Sequence, residues 1–291
     1  MDYECGGAAQ TYEIYQNRTV VAVFPNPATG SANQTCIVHL GGMVKQFDTR
    51  PRQTPAAIVV GASSGIGRAL ARLLAQNGYK VGITGRRTAL LEQLRAEDPG
   101  AYFIKTFDVC DTDRVAENLE ALTAELGGLD LLVLSAGVGD LNPALDYQLE
   151  KPAIDTNVHG FTAVCDWAFR YFEQQGKGHL AAITSVAGLR GNRHAPAYNA
   201  SKAYQINYLE GLRQKATRRK KAVFITDIRP GFIDTEMAKG EGRFWVMPVD
   251  KTVRQIFQAL KRKRKVVYVT RRWAVVAFLM KRIPEYLYNR M

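Results

Sequence analysis

From Pro55 onwards, the chain alternates between short apolar runs and stretches with helical spacing. The apolar runs are rich in β-branched residues, as buried strands are. They are AAIVVGA, KVGITG, AYFIKTF, LDLLVLSAG, HLAAITS, AVFITDI and KVVYVT. Strands that alternate with helices indicate a parallel sheet covered on both faces, because parallel strands need crossover connections. The pattern therefore predicts an α/β fold with a doubly wound parallel sheet of about seven strands and helices on both faces.

Two of the intervening stretches carry clear helix signals. RALARLLAQNG places Ala69, Leu70, Leu73 and Leu74 on one face and ends at a glycine. DTDRVAENLEALTAELGG begins with an aspartate cap and also ends with glycine. Apolar residues at this spacing, bounded by caps, predict amphipathic helices that pack on the sheet.

The sequence divides into three predicted regions. Residues 55–270 form the α/β domain, residues 271–291 a basic aromatic C-terminal helix, and residues 1–54 an N-terminal extension of unknown role. Within the extension, TVVAVF and TCIVHL resemble two short strands around a turn-rich stretch. Three interpretations stay open: an accessory hairpin, a disordered extension, or sequence upstream of the native start, since Met43 precedes the regular pattern.

Composition narrows the class of protein. Hydrophobic residues make up 46% of the chain and aromatic residues 10%, which supports a sizeable core and excludes wholesale disorder. The four cysteines and four histidines show no metal-ligand spacing, so neither a metal site nor a disulfide framework is expected. The N-terminus lacks the pattern of a secretory signal, and no apolar run is long enough to span a bilayer, which predicts a cytoplasmic location.

The net charge of +12 is concentrated near the C-terminus. Residues 251–291 contain 12 Lys/Arg and one Glu, whereas the preceding 250 residues contain 27 Lys/Arg and 26 acids. This region can be a solvated face, or a peripheral contact with the inner face of a membrane. AVVAFLM, between Arg271/Arg272 and Lys281/Arg282, is too short to span. The aromatic residues beside these cations suit an interfacial helix on anionic lipid, namely Trp273, Phe278, Tyr286 and Tyr288. Nucleic-acid binding is not expected, because no recognition motif accompanies the charge.

A glycine-rich stretch, GASSGIG, lies between the first predicted strand and the first predicted helix. Glycines at such a junction let the main chain approach a pyrophosphate, and the helix N-terminus attracts the anion. This context predicts dinucleotide binding by a Rossmann fold. The candidate contacts in this loop are Gly61, Ser63, Ser64, Gly65, Ile66 and Gly67.

The end of the second predicted strand, ITGRR, bears on the choice of cofactor. It lacks the acid that commonly accepts a hydrogen bond from the ribose 2′-hydroxyl. Arg86 and Arg87 can instead pair with a 2′-phosphate, so NADP(H) is favoured over NAD(H). Arg86, immediately after Gly85, is the preferred partner. The alternative is that both arginines are solvated residues at a helix start.

The spacing of GASSGIG resembles the T-G-x-x-x-G-I-G loop of the short-chain dehydrogenase/reductase family, with Val60 in place of the threonine. The resemblance covers roughly residues 55–269. FDVCD resembles the segment that contacts adenine, LSAGVG resembles N-N-A-G with both asparagines replaced, and RPGFIDT resembles the P-G segment beside the nicotinamide. The further cofactor contacts that the resemblance implies are Asp108, Val109, Ala136, Gly137, Pro230, Gly231, Ile233 and Thr235, together with Tyr198 and Lys202.

The stretch YNASK places Tyr198 and Lys202 one helical turn apart, so both side chains emerge from the same face. Ser185 ends the fifth predicted strand, and Asn157 lies on a preceding helix. A free tyrosine, with a pKa of about 10, is a poor acid–base catalyst near neutrality, and a nearby ammonium lowers that pKa. The resemblance implies that Tyr198 is the acid in reduction and the base in oxidation, and that Ser185 holds the substrate oxygen. It also implies that Lys202 binds the ribose and that Asn157 holds a water that passes protons towards Lys202.

We therefore predict an NADP(H)-dependent short-chain oxidoreductase that interconverts a carbonyl and an alcohol. The alternative is a cofactor-binding regulatory or membrane-surface scaffold protein on the same fold, without turnover. The substrate is expected to be a small carbonyl or alcohol compound, and the resemblance implies a homodimer or homotetramer. The candidate lining residues after Gly231 are Phe232, Met237, Phe244, Trp245 and Met247.

Overall fold

The computed structural model divides the chain into two units, Met1–Gln53 and Thr54–Met291. It describes residues 54–219, 221–235 and 245–290, and in the first unit only the main chain of five strands. These strands are β1 (Ile14–Gln16), β2 (Thr19–Val21), β3 (Phe24–Pro25), β4 (Thr35–Leu40) and β5 (Met43–Asp48). β1 pairs with β2, and β3, β4 and β5 form a three-stranded antiparallel sheet. Strands therefore lie in both stretches of the extension where the sequence predicts them.

A parallel sheet of seven strands forms the centre of the second unit. Its strands are β6 (Ala56–Val60), β7 (Lys80–Gly85), β8 (Tyr102–Thr106), β9 (Leu131–Leu134), β10 (Lys177–Ile183), β11 (Ala222–Pro230) and β12 (Val266–Val269). Their spatial order is β12-β11-β10-β9-β6-β7-β8, with parallel neighbours throughout. The direction of winding reverses between β6 and β9, which is where doubly wound sheets bind ligands. The predicted fold class is confirmed.

The described residues of the second unit form helices, most of which cover the two faces of this sheet. They are α1 (Gly65–Gln76), α2 (Thr88–Arg95), α3 (Thr112–Leu126), α4 (Tyr147–Ile154), α5 (Phe161–Gln175), α6 (Pro196–Arg218), α7 (Val249–Lys261), α8 (Arg271–Met280) and α9 (Glu285–Tyr288). Buried residues of α3, α5 and α6 form one apolar cluster, and those of α1, α2 and α7 form the other. In the part of the chain that the structure describes, no helix has both the length and the apolar character needed to cross a membrane.

Strand β6 shows why the sheet is buried on both faces. Ile58 belongs to the cluster that contains Phe161 and Phe172, whereas its neighbour Val59 belongs to the cluster that contains Leu70. Successive side chains of a strand point to opposite faces, so an unbroken apolar run needs a cover on each side. Full burial of one such side chain stabilises the fold by about 1.5–3 kcal/mol. Burial of the apolar runs therefore stabilises the sheet. It also sets the position of the loops at the carboxyl ends of the strands, which can carry polar groups.

Candidate active site

The glycine-rich loop after β6 is shaped by close main-chain contacts. Gly61 has a φ of +89°, and a Cβ at this residue would lie 2.5 Å from the amide nitrogen of Ala136. A Cβ at Gly67 would lie 2.0 Å from the carbonyl oxygen of Gly61. A side chain at either position would force the loop apart, so the loop requires glycine there. The loop leads directly into α1, whose N-terminus provides main-chain N–H groups for an anion.

The other residues of this loop have separate surroundings. Ser63 is buried, Ser64 is the residue before the first turn of α1 and makes no side-chain capping bond, and Ile66 packs against the apolar cluster of α1, α2 and α7. A Cβ at Gly65 would lie 3.5 Å from Cγ2 of Thr235. The loop therefore faces the segment that follows β11.

The two arginines after β7 have different partners. The guanidinium of Arg87 donates to Ser63 Oγ at 3.0 Å and to Ser64 Oγ at 2.6 Å. Arg86 forms an ion pair with Asp108, with 3.4 Å between Nη1 and Oδ2. Arg87 therefore borders the glycine-rich loop, whereas Arg86 joins the ends of β7 and β8.

Asp108 and Val109 lie just after β8. Burial raises the pKa of Asp108, but hydrogen bonds from Cys110 and the charge of Arg86 outweigh it, so that the pKa lies below its ordinary value. Val109 is buried, and a Cβ at Gly160 would lie 2.7 Å from its Cγ2. The glycine thus allows the helix that follows α4 to approach this strand end closely.

Gly137 brings the segment after β9 next to two of the predicted catalytic side chains. A Cβ here would lie 3.3 Å from both Asn157 Oδ1 and Lys202 Nζ. Asn157 lies in a π-helical segment, Asp155–Gly160, between α4 and α5, and such segments occur frequently at functional sites. Its amide donates to the carbonyl of Val138 at 2.7 Å and accepts from the N–H of Val138 at 3.0 Å. These bonds hold Asn157 beside Lys202.

Lys202 is buried, and its ammonium has defined acceptors. Nζ donates to the carbonyl of Ile183 at 3.2 Å and to Gln205 Oε1 at 3.0 Å. Burial lowers the pKa of Lys202 to about 8, and the negative charge of Asp227 opposes this change. The amide of Gln205 also donates to the main-chain carbonyl of Asn157 at 2.9 Å. Gln205 therefore joins Lys202 to Asn157.

Ser185 and Tyr198 meet just beyond the end of β10, at the first turn of α6. Burial raises the pKa of Tyr198, and a side-chain hydrogen bond with Ser185 opposes the increase. Lys202 Nζ lies 5.8 Å from the centre of the Tyr198 ring. Ser185 Oγ accepts a hydrogen bond from the N–H of Ala187 at 3.0 Å. A Cβ at Gly139 would lie 2.2 Å from Tyr198 Cδ2, so the loop after β9 packs directly on this ring.

The segment after Pro230 packs against α8. A Cβ at Gly231 would lie 1.9 Å from Cε2 of Trp273, which leaves no room for a side chain. The Trp273 ring also packs edge-on against Phe232 and Trp245, with ring centres 5.6 Å and 6.4 Å apart. This arrangement brings an aromatic cluster to the carboxyl edge of the sheet.

The structure describes only some of the remaining residues predicted for this segment. Ile233 is buried and forms a parallel bridge with Met247. Met237 and Phe244, two of the candidate lining residues, lie outside the described residues.

The loop after β10 is tied to the C-terminal segment. Arg190 donates to the main-chain carbonyls of Met280 at 3.2 Å and Ile283 at 3.0 Å. Its guanidinium lies 4.2 Å from the centre of the Tyr288 ring. The hydroxyl of Tyr288 donates to the carbonyl of Gly191 at 2.5 Å. Residues 280–288 thus hold the loop that begins at the candidate catalytic serine.

Sequence reasoning missed two residues of this region, Arg190 and Gln205. It also predicts Trp273 at a lipid-facing surface, which is wrong, because the indole is buried against Gly231. Gln205 has a local signal, because it follows Lys202 by three residues and so shares its side of the helix. Arg190 and Trp273 act through partners distant in sequence, which hydrophobic periodicity does not reveal.

The fold and this edge define a dinucleotide-binding α/β domain with a serine, a tyrosine and a lysine gathered at the carboxyl ends of its strands. The family model described as short chain dehydrogenase matches residues 55–244. An uncharacterised oxidoreductase of Myxococcus xanthus is 40% identical over 186 residues, which are 62% of this chain and 73% of the relative. An uncharacterised oxidoreductase of Mycobacterium tuberculosis is 31% identical over 243 residues, 80% of this chain and 95% of the relative.

Solved structures share the fold. A short-chain dehydrogenase/reductase of Burkholderia phymatum in complex with NAD has a TM-score of 0.70 and 20% identity, covering 78% of this chain and 92% of its own. A short-chain dehydrogenase of Burkholderia cenocepacia in complex with NADP has a TM-score of 0.70 and 22% identity, covering 81% and 97%. The chain belongs to the short-chain dehydrogenase family. It is an NAD(P)-dependent oxidoreductase that acts on CH–OH or C=O groups.

Proposed function

We propose that this oxidoreductase interconverts a small carbonyl compound and its alcohol with NADP(H), using Tyr198 as the acid–base group. The observation that carries the proposal is the contact of Tyr198 with Ser185, with Lys202 Nζ 5.8 Å from the tyrosine ring centre. This group lies at the carboxyl edge of the sheet, at the same edge as the glycine-rich loop. Catalytic groups and dinucleotides share this edge in doubly wound folds.

The residues present suit a dinucleotide. The contacts at Gly61 and Gly67 leave no space for a Cβ, so main-chain N–H groups line the loop where a pyrophosphate is expected. Gly65 and Thr235 face each other, and Gly137 lies beside Lys202. The residues proposed to hold the cofactor are Gly61, Ser63, Ser64, Gly65, Ile66, Gly67, Arg86, Arg87, Asp108, Val109, Ala136, Gly137, Tyr198, Lys202, Pro230, Gly231, Ile233 and Thr235.

A nicotinamide bound there would supply or accept the hydride. Tyr198 then gives a proton to the carbonyl oxygen in reduction and takes it back in oxidation. Ser185 binds the same substrate oxygen and orients it towards the phenol. Lys202 is proposed to favour the phenolate through its charge once the site is assembled, because a nearby ammonium lowers the pKa of a phenol. Asn157 fixes the main chain beside Lys202 through its bonds to Val138.

The preference for NADP(H) is proposed from the two arginines. Arg87 already donates to Ser63 and Ser64 of the loop, and Arg86 lies beside Asp108 at the end of the next strand. Two exposed guanidinium groups at this edge provide bidentate donors for a 2′-phosphate. Two cations at this position do not favour NAD(H), whose ribose 2′-hydroxyl is commonly bound by an acid.

The acid–base assignment is tested with Tyr198→Phe. NADPH oxidation by the wild type is first measured against a panel of ketones, aldehydes and quinones, which also identifies a usable substrate. We expect Tyr198→Phe to lower kcat by about 10²–10⁴-fold while NADPH binding, measured by fluorescence, persists. Tyr204→Phe, on the same helix, is the matched control. Wild-type turnover in Tyr198→Phe would contradict the mechanism, and NADPH binding without turnover by the wild type would favour the regulatory alternative.

We further propose peripheral membrane contact through α8. Trp273 and Ala277 are buried, whereas Val275, Phe278 and Leu279 are exposed by 61%, 54% and 54%. The exposed residues have i, i+3 and i+4 spacing, so they form one apolar stripe on the side of the helix away from the domain.

Positive charge surrounds this stripe. Arg271 and Arg272 are exposed at the start of α8, and Lys281 and Arg282 are exposed just after its end, with one acid, Glu285, nearby. Apolar side chains beside cations are the composition that binds the interface of an anionic bilayer. The expected contact is with the inner face of a membrane, and the cytoplasmic location itself stays a prediction.

Membrane contact is tested by sedimentation with vesicles. Because Trp273 is buried, removal of α8 would damage the domain, so the variant is Val275→Ser/Phe278→Ser/Leu279→Ser. We expect the wild type to sediment with phosphatidylglycerol–phosphatidylcholine vesicles but not with phosphatidylcholine alone, and the triple variant to remain in the supernatant. Leu149→Ser, at an exposed apolar residue of α4, is the control. Equal sedimentation of the triple variant and the wild type would contradict the proposal.

The homodimer or homotetramer remains a prediction from the family resemblance. Light scattering of the full chain measures it directly.

A further inference from the structure

Gln205 forms the direct connection between Lys202 and Asn157. It is 1% exposed, and its Oε1 accepts from Lys202 Nζ at 3.0 Å while its Nε2 donates to the carbonyl of Asn157 at 2.9 Å. An ammonium can only donate and a carbonyl can only accept. The two partners therefore determine which end of the amide carries the oxygen.

This connection fixes the position of Lys202. The ammonium has three N–H donors, of which one points to the carbonyl of Ile183 and another to Gln205. Two fixed directions define the orientation of the head group. The third donor is the one that a ribose hydroxyl can take.

We propose that Gln205 is a positioning residue of the oxidoreductase, which holds the Lys202 ammonium in place and keeps it charged at neutral pH. This inference rests on the function proposed above for Lys202. A buried ammonium is unfavourable unless polar groups replace its hydration. The amide oxygen of Gln205 is such a group, and the bond from its nitrogen to Asn157 prevents the amide from turning away.

The charged groups around Lys202 make the role of Gln205 measurable. Tyr198 lies on the same helix, and Asp227 on β11 raises the pKa of Lys202 against the effect of burial. Asp227 is itself paired with Arg229, with 2.6 Å between Nη2 and Oδ2. Gln205 is neutral, so Gln205→Glu adds a negative charge beside Lys202 with nearly the same shape, and it also replaces the N–H donor to Asn157 by an oxygen. Gln205→Met keeps the bulk and removes the acceptor.

The test follows the titration of Lys202 through the free energy of unfolding as a function of pH. In the wild type, the free energy of unfolding is expected to rise with increasing pH from about pH 8, where Lys202 of the folded protein loses its proton. Gln205→Glu is expected to move this inflection upward by about 1–3 pH units. Gln205→Met is expected to move it downward, and to lower kcat at pH 7 by at least about tenfold through loss of the ammonium. Gln214→Met, at an exposed glutamine of α6, is the matched control.

The outcomes separate positioning from packing. When Gln205 is replaced by methionine, a residue that serves only to fill space would lower stability equally at every pH and leave the inflection in place. An unchanged inflection in Gln205→Met would therefore overturn the proposal, whereas Gln205→Glu checks that the inflection belongs to Lys202, because an added carboxylate must raise the pKa of its neighbour. If Gln205→Met does not fold, Gln205→Asn takes its place, because it keeps the amide but withdraws the acceptor from Lys202 by one methylene, and a downward shift of the inflection is again expected. Because unfolding needs no substrate, a wild type without turnover would refute the proposed function and leave the Gln205 measurement valid.

Discussion

Replacing Lys202 by methionine is expected to remove a pH-dependent part of the stability. Burial holds the pKa of Lys202 at about 8 in the folded protein, against an ordinary value of 10.5. Between these two values, the unfolded chain binds the lysine proton and the folded protein does not. Stability rises with pH wherever the unfolded state binds more protons, so the wild type gains stability from Lys202 as the pH rises through this window.

The size of the effect follows from the difference between the two pKa values. One pH unit corresponds to about 1.4 kcal/mol, so the lysine contributes a gain of roughly 3 kcal/mol across the window. Lys202 is 4% exposed, so solvent screening reduces this figure little. Methionine has similar length and no charge. The difference in free energy of unfolding between the variant and the wild type should therefore shift by roughly 3 kcal/mol in favour of the wild type between pH 8 and pH 10.5.

The measurement is urea unfolding at several pH values, followed by circular dichroism and analysed with a common m-value. Other groups titrate in the same window, so the quantity of interest is the difference between wild type and Lys202→Met. Lys215→Met, at an exposed lysine of the same helix, is the control for losing one lysine. If the difference stays constant from pH 7 to pH 10, the reasoning about the buried ammonium is wrong.

Three further predictions concern the cofactor and the packing around the site. Arg86→Ala and Arg87→Ala should each weaken NADPH binding much more than NADH binding in fluorescence titrations, and equal losses would contradict the 2′-phosphate assignment. Gly231→Ala should lower the free energy of unfolding by about 1–3 kcal/mol, since its Cβ would lie 1.9 Å from the adjacent indole. An unchanged midpoint of thermal unfolding would contradict that contact. Asp227→Asn should lower the free energy of unfolding by about 3–5 kcal/mol, because it leaves the guanidinium of Arg229 buried without its carboxylate. A nearly unchanged free energy in denaturant unfolding would contradict this.

The fold could be predicted because its signals are local. Each of the seven strands is an apolar run, and β6 is buried along its whole length. The glycines of the glycine-rich loop could also be predicted. Gly61 has a left-handed φ and Gly67 has no room for a Cβ, so both positions require glycine. The structure differs from the sequence expectation in small ways, such as β10 beginning at Lys177, two residues before the predicted run. Strand ends depend on pairing with neighbours more than on the residues themselves.

The candidate site could be predicted only where it follows a motif. The four-residue spacing of Tyr198 and Lys202 places both on one helix face, and that placement is observed. The role of Gln205 depends on which carbonyl lies opposite it, and that carbonyl belongs to Asn157, 48 residues away. The contacts of Arg190 depend in the same way on the main-chain carbonyls of Met280 and Ile283, which lie far along the sequence. Periodicity describes which side of an element is buried, but not which distant element covers it.

The tie between Arg190 and the C-terminal segment has a consequence for synthesis. Arg190 precedes its partners Met280 and Ile283 by 90 and 93 residues. At about 5–20 residues per second, roughly 5–20 s pass between the synthesis of the loop and the synthesis of the residues whose carbonyl groups bind it. The strands from β6 to β10 are made before either partner, so the sheet can begin to form while the loop after Ser185 still lacks its final contacts. The loop after Ser185 therefore reaches its final contacts only after residues 280–283 have been made.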